Sequence, residues 1–102
     1  LITRDAAGLE VDFRVRMFAP AAGIEEDPAT GGAAAALGGW LALHETPADG
    51  RRRQVVAQGI EIGRPSRLEI EVEKRAGRVA AVRVGGGAVL VGEGTIEVPA
   101  GG

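Results

Sequence analysis

Gly31-Gly32-Ala33-Ala34-Ala35-Ala36-Leu37-Gly38-Gly39-Trp40-Leu41-Ala42-Leu43 carries no charged side chain, and apart from the Trp40 indole none that hydrogen-bonds. A helix that is apolar on every side belongs in an interior, not on a surface. The run is also too short for the roughly twenty apolar residues that span a bilayer. Gly38 and Gly39 would each cost a helix interior about 1 kcal/mol against alanine, which makes sense where strands approach the helix closely. The pattern predicts a central helix over Pro28–His44, buried on most of its circumference and wrapped by sheet. Asp27 is a good N-cap, and Pro28 suits the first helical position. His44 falls where the helix should end, a place where histidine commonly caps carbonyls or faces water.

Outward from the helix, alternation of apolar and charged residues marks strands. Val11-Asp12-Phe13-Arg14-Val15-Arg16-Met17 is one, ended by Pro20, and Leu1–Arg4 is a shorter one. Ala21–Glu26 reads as a loop. After the helix come a turn at Pro47–Gly50, a solvated Arg51-Arg52-Arg53 and a strand at Gln54–Gln58. Leu68–Glu73 is the cleanest alternation, with glutamates to water and aliphatics toward the helix. Ala76-Gly77 turns it into Arg78–Val84. Ala88–Val91 and Thr95–Val98 read as two more strands, set off by Gly85-Gly86-Gly87 and Gly92-Glu93-Gly94. The expected fold is α+β, a mainly antiparallel sheet rolled around one buried helix. The chain starts at Leu1 with a strand-like segment and reads as a fragment or a trimmed chain, while Pro99–Gly102 reads as a natural C-terminus.

The length of 102 residues suits one small domain with a single core. Twelve basic and fourteen acidic residues give a net charge of −2, so no basic excess suggests a nucleic-acid partner. No cysteine is present, which excludes disulfides, thiolate nucleophiles and cysteine metal sites. A single histidine excludes histidine metal clusters and Ser-His-Asp triads within the chain. With no signal-like start and no membrane span, the expectation is a cytoplasmic protein without a membrane partner.

The chemistry concentrates in Glu25-Glu26-Asp27-Pro28-Ala29-Thr30-Gly31-Gly32-Ala33. A helix opening presents free backbone N–H groups and the positive end of a dipole, which suits a carboxylate or phosphate. An acid beside such a turn is the layout of proton-transfer chemistry on a bound acid. Crowding by Glu25 and Glu26, with partial burial, would raise the Asp27 carboxyl toward the range useful for acid/base work. The plainer alternatives are an Asp27 that only caps and a Thr30-Gly31-Gly32 turn that only packs closely. Gln58-Gly59-Ile60-Glu61-Ile62-Gly63-Arg64-Pro65-Ser66 reads as a bent connection between strands, a corner of the sheet with Arg64 tying loops together. Gly85-Gly86-Gly87 lacks the strand-to-helix setting of a phosphate loop and reads as a turn.

Arg16-Met17-Phe18-Ala19-Pro20, Gly23-Ile24, Glu26-Asp27-Pro28-Ala29-Thr30-Gly31 and Gln58-Gly59 with Gly63-Arg64-Pro65-Ser66 together resemble the C-terminal part of the PhzF-like phenazine-biosynthesis proteins. These belong to the wider superfamily of diaminopimelate epimerases and proline racemases. The resemblance, from about Phe13 to Val98, implies a partial C-terminal domain of a two-domain isomerase, with the active site in an interdomain cleft. It implies proton transfer at carbon without cofactor or metal, on a small carboxylate-bearing substrate. The principal acid/base of such proteins is a glutamate on an N-terminal domain, helped by a histidine motif there. On this side the resemblance assigns Asp27 a catalytic role, and Thr30, Gly31 and Gly32 the substrate carboxylate. Gly32 stands where the family usually has serine, so a hydroxyl donor is lost while the backbone N–H remains. The implied partners are an N-terminal domain or second chain that completes the cleft, and a second copy in a homodimer. The alternatives are a non-catalytic small-acid-binding module and a structural half-domain that pairs with another chain.

Overall fold

The structure, a computed structural model, describes all residues except 5–7, 9, 46, 47 and 102. Strands β1 (Ile2–Thr3), β2 (Phe13–Val15), β3 (Met17–Ala19) and β4 (Ile24–Asp27) precede the helix α1 (Gly31–His44). Strands β5 (Gly50–Gln58), β6 (Ser66–Arg75) and β7 (Arg78–Gly86) follow it. The main sheet has five strands in the order β1-β2-β5-β6-β7, and β3 and β4 form a separate two-stranded sheet. The β2–β5 pair is parallel and every other pair is antiparallel, so the sheet is mixed.

Local chemistry explains the joints. The β6–β7 hairpin turns on Ala76 and Gly77, both at positive φ (50° and 75°), the mirror-image turn that suits strand twist. The Asp49 carboxylate accepts hydrogen bonds from both turn amides, at 2.7 and 3.0 Å. The alternation of β6 sends Leu68, Ile70 and Val72 into the core beside Phe13, Val56, Ala34, Leu41 and Ala42. Glu69 and Glu71 instead meet Arg53 and Arg83 at the surface.

Helix α1 packs against β6 and β7 through Ala34, Gly38, Leu41 and Ala42, a stripe at helical spacing. Gly38 is where the sheet comes closest. A Cβ there would lie 2.5 Å from Ile70 Cγ2, 3.2 Å from Val72 and 3.3 Å from Val82, whereas at Gly39 it would meet nothing within 4 Å. Gly38→Ala is therefore expected to destabilise the chain by about 1–3 kcal/mol through overpacking. Gly39→Ala should stabilise it by up to about 1 kcal/mol through helix propensity. Urea melts of the two variants check the pair.

The structure corrects the sequence reading at several places. The helix is not buried on most of its circumference, because the sheet covers one side only. Trp40 and Leu43 remain 52% and 64% exposed. His44 stacks on Trp40 at 4.6 Å, and its Nδ1 lies 2.9 Å from the Trp40 carbonyl, the capping role expected of it. Asp27 is not the N-cap and Pro28 is not helical. Asp27 is held extended by its pairing with Met17, so the helix starts three residues later than Pro28 and Thr30 is its N-cap. The Val11–Met17 strand is split in two after Val15, and Ile24–Asp27 is a strand, not a loop. Arg51–Arg53 belong to β5, where Glu73, Val72 and Glu71 face them in the ladder. Glu73 is buried rather than turned to water, paired with Arg75 and Arg83. Ala88–Val91 and Thr95–Val98 are exposed and form no strand. The turn expected at Pro47–Gly50 begins outside the described residues.

Candidate functional site

The two unusual stretches of sequence meet in space. Gln58 is the last residue of β5 and is 1% exposed. Its Nε2 donates to the Asp27 carbonyl at 2.8 Å and to Thr30 Oγ1 at 2.9 Å. Thr30 Oγ1 in turn donates to Asp27 Oδ2 at 2.6 Å. The result is a directed chain, Gln58 amide to Thr30 hydroxyl to Asp27 carboxylate, partly buried and with every donor used on an acceptor. Such a chain fixes the carboxylate beside the start of the helix.

Gly59 lets the blocks approach. It sits at φ +79°, and a Cβ there would collide with the Arg64 carbonyl and lie 2.8 Å from the Pro28 carbonyl. The segment Pro28–Thr30 thus rests on the turn from Gly59 to Arg64, which is closed by Arg64 N–H donating to the Gly59 carbonyl at 2.9 Å. No carboxylate pairs with Arg64 among the described residues, so the loop is tied by backbone and not by the Arg64 side chain.

Thr30 is the helix N-cap but makes no side-chain cap, because its hydroxyl is engaged with Asp27. The first-turn N–H groups of Gly31, Gly32 and Ala33 are therefore left to solvent or a ligand, and all three residues are exposed. A Cβ at Gly31 or Gly32 would meet nothing within 4 Å. Close packing accordingly does not account for these two glycines. All four residues singled out from sequence, Asp27, Thr30, Gly31 and Gly32, fall in this one place.

An ion cluster sets the flank of the site. Arg16 donates from Nε to Glu26 Oε1 at 2.7 Å and from Nη2 to Oε2 at 3.3 Å, a two-pronged grip on the residue before Asp27. Glu61 accepts from Arg14 at 2.9 Å and lies 3.9 Å from Arg16. The Glu26 hydrogen bond raises the Arg16 pKa. A backbone N–H bond, helped by Arg14 and Arg16, holds the Glu61 carboxyl below its ordinary range. Through these pairs the cluster clamps β4 to the turn after β5. Sequence reasoning had Glu26 crowding Asp27, and Gln58 and Arg16 within the shared motifs, and placed none of their contacts. The signals for Gln58 were its place in the Gln58-Gly59 block and a polar side chain closing the apolar run Val55-Val56-Ala57.

Beside this constellation runs a cleft of about 690 Å³, lined by Ala29, Pro65, Ser66, Gly85, Gly86 and Gly87 among others. Ala29 joins the two, while Asp27 and the helix N-terminus lie outside the cleft wall. Among the described residues no group of three or more histidine, aspartate or glutamate side chains could hold a metal ion. No helix among them is long and apolar enough to cross a membrane.

A family model described as phenazine biosynthesis-like protein matches residues 2–94. An uncharacterised isomerase of Mesorhizobium japonicum is 42% identical over 95 residues, 93% of this chain and 32% of that protein. The trans-2,3-dihydro-3-hydroxyanthranilate isomerase of Pseudomonas chlororaphis is 44% identical over 90 residues, 88% of this chain and 32% of that protein. A crystal structure of a Bacillus anthracis phenazine biosynthesis protein of the PhzF family superposes with a TM-score of 0.65 at 26% identity. That match covers 88% of this chain and 33% of the other. The chain thus spans about a third of the length of the relatives it matches.

Proposed function

The chain belongs to the phenazine biosynthesis-like protein family, and from that premise we propose that it supplies one wall of an isomerase cleft. In this reading the backbone N–H groups of Thr30, Gly31, Gly32 and Ala33 hold the carboxylate of a small substrate. Asp27 polarises the substrate or relays a proton. The observation that carries the reading is the uncapped helix N-terminus, left open because Thr30 serves Asp27. The opposite wall, with the partner acid/base, comes from an N-terminal domain or a second chain. The same polypeptide would cover the Trp40 and Leu43 side of α1 and complete a sheet rolled around it, the diaminopimelate-epimerase-like arrangement. The chemistry is cofactor-independent proton transfer at carbon, in the cytoplasm.

One wall alone cannot both remove and return a proton in the right geometry, and a positioned acid/base contributes about 10²–10⁴-fold. The isolated chain is therefore expected to catalyse no wash-in of solvent deuterium at the α- or allylic carbon of a small carboxylic acid. Grafted in place of the matched stretch of the Pseudomonas chlororaphis isomerase, it should support exchange on that enzyme's own substrate. Exchange by the isolated chain would overturn the division of labour. A folded graft with no exchange, which Gly32→Ser also fails to restore, would overturn the assignment of the wall.

A further inference from the structure

Helix α1 packs on β6 and β7, and its first two turns leave a hollow over β2 and β5. This hollow has a volume of about 180 Å³ and is walled by Val15, Ala33, Ala34, Leu37, Val56 and Gln58 among others. Its floor is core, since Ala34, Val56 and Gln58 are all buried. Protein interiors keep few voids larger than a water molecule, so open space of this size beside buried residues calls for an occupant. The sequence makes the space: the helix offers only the methyl groups of Ala33 and Ala34 where longer side chains would fill it. Gln58 is the one polar side chain on the described wall, and both its amide protons are spent on the Asp27 carbonyl and the Thr30 hydroxyl. A guest in the hollow therefore meets hydrocarbon and no free side-chain N–H.

The hollow adjoins the start of the helix. Ala33, whose N–H is one of the open first-turn donors, lies on its wall, and Leu37 stands one turn further along. Leu37 also borders a second hollow beside Phe13 and Trp40, on the side assigned above to further polypeptide. It thus closes the far end of the first. We propose that the first hollow receives the carbon skeleton of the acid whose carboxylate the helix start holds, and that the part entering it is a compact aliphatic group, a six-carbon ring or a branched chain, without polar substituents. The inference rests on the carboxylate reading of the helix start. An apolar cavity of about 150 Å³ takes a guest the size of benzene, so the volume here suits one ring and not a fused pair. A hydroxyl carried into it would lose its water without gaining a partner.

Amide NMR titration of the isotope-labelled chain tests this, with acetate, cyclohexanecarboxylate and cis-4-hydroxycyclohexanecarboxylate as probes. Cyclohexanecarboxylate should shift the amides of Thr30, Gly31, Gly32 and Ala33 and bind at least about tenfold more tightly than acetate. The hydroxy acid should bind about tenfold more weakly than the bare ring. Ring protons of the bound acid should show NOEs to the methyl groups of Val15, Leu37 and Val56. Leu37→Phe, and separately Val15→Phe, should fill the hollow and bring the two affinities of cyclohexanecarboxylate and acetate close together. Equal affinities in the native chain, with shifts at these same amides, would overturn the hollow and leave the carboxylate site standing. NOEs confined to other residues, or a preference for the ring that survives in a folded filling variant, would do the same. Shifts from neither acid at these amides would overturn both readings.

Discussion

Gly59→Ala is expected to lower the stability of the chain by about 2–5 kcal/mol, the largest loss among the Gly→Ala changes of the described residues. Two costs add. The residue sits at φ +79°, where a Cβ is strained in any surroundings, and here the new carbon would press on the Arg64 carbonyl and the Pro28 carbonyl. Both neighbours are backbone, so neither can rotate away. Relief requires the turn after β5 and the segment Pro28–Thr30 to separate, which would pull Gln58 from Asp27 and Thr30. Gly63→Ala is the control: φ there is +72°, but nothing lies within 4 Å. It should cost only the backbone term of about 1–2 kcal/mol. Urea denaturation of both variants measures the difference, and equal losses would remove close approach as the reason for Gly59.

Gln58→Leu ranks next, with an expected loss of about 2–4 kcal/mol. The side chain is 1% exposed and gives its amide protons to the Asp27 carbonyl and the Thr30 hydroxyl. Leucine fills much of the space but leaves both acceptors facing an apolar group in a site that water reaches poorly. A double-mutant cycle with Thr30→Val isolates the pair. It should show a coupling of about 0.5–3 kcal/mol, as expected for residues in one hydrogen-bonded network. Additive losses would mean that Gln58 is a packing residue and nothing more.

The parts of the fold legible in sequence were those whose cause is local. Leu68–Glu73 alternates because one face of β6 packs on α1 and the other carries glutamates that pair with arginines of β5 and β7. The helix was visible from its unbroken apolar run, and its true start at Gly31 was not. What delays it is the ladder between Met17 and Asp27, a contact across ten residues of sequence that no capping rule contains. The burial of the helix was overestimated for a related reason. A run apolar on all sides reports what the sequence is suited to, and in this chain the sheet covers only one side, leaving Trp40 and Leu43 open. Ala88–Val91 and Thr95–Val98 likewise carry strand composition with no strand beside them.

The candidate site was legible as a stretch of residues and not as a mechanism of assembly. Asp27, Thr30, Gly31 and Gly32 were singled out in sequence as candidates, and the structure places them at the start of one helix. That Thr30 turns its hydroxyl to Asp27, and so leaves the helix uncapped, depends on Gln58 arriving from 28 positions away. No spacing rule encodes that geometry. The Arg16 grip on Glu26 is of the same kind, set by the pairing of β3 with β4 and not by the charge pattern.

Under the proposed function this helix N-terminus binds a carboxylate beside Asp27. Titration of the isotope-labelled chain with acetate and larger small carboxylates, followed by amide NMR shifts, reads that binding out. The helix dipole favours an anion there by roughly 0.3–1 kcal/mol, and up to ~2 kcal/mol where the site is partly buried. The Asp27 carboxylate opposes it by like charge. Shifts should concentrate on the amides of Thr30, Gly31, Gly32 and Ala33, and Asp27→Asn should bind more tightly than the native chain. Shifts spread over other surfaces, or an affinity unchanged or weakened in Asp27→Asn, would rule out a carboxylate site at this helix start.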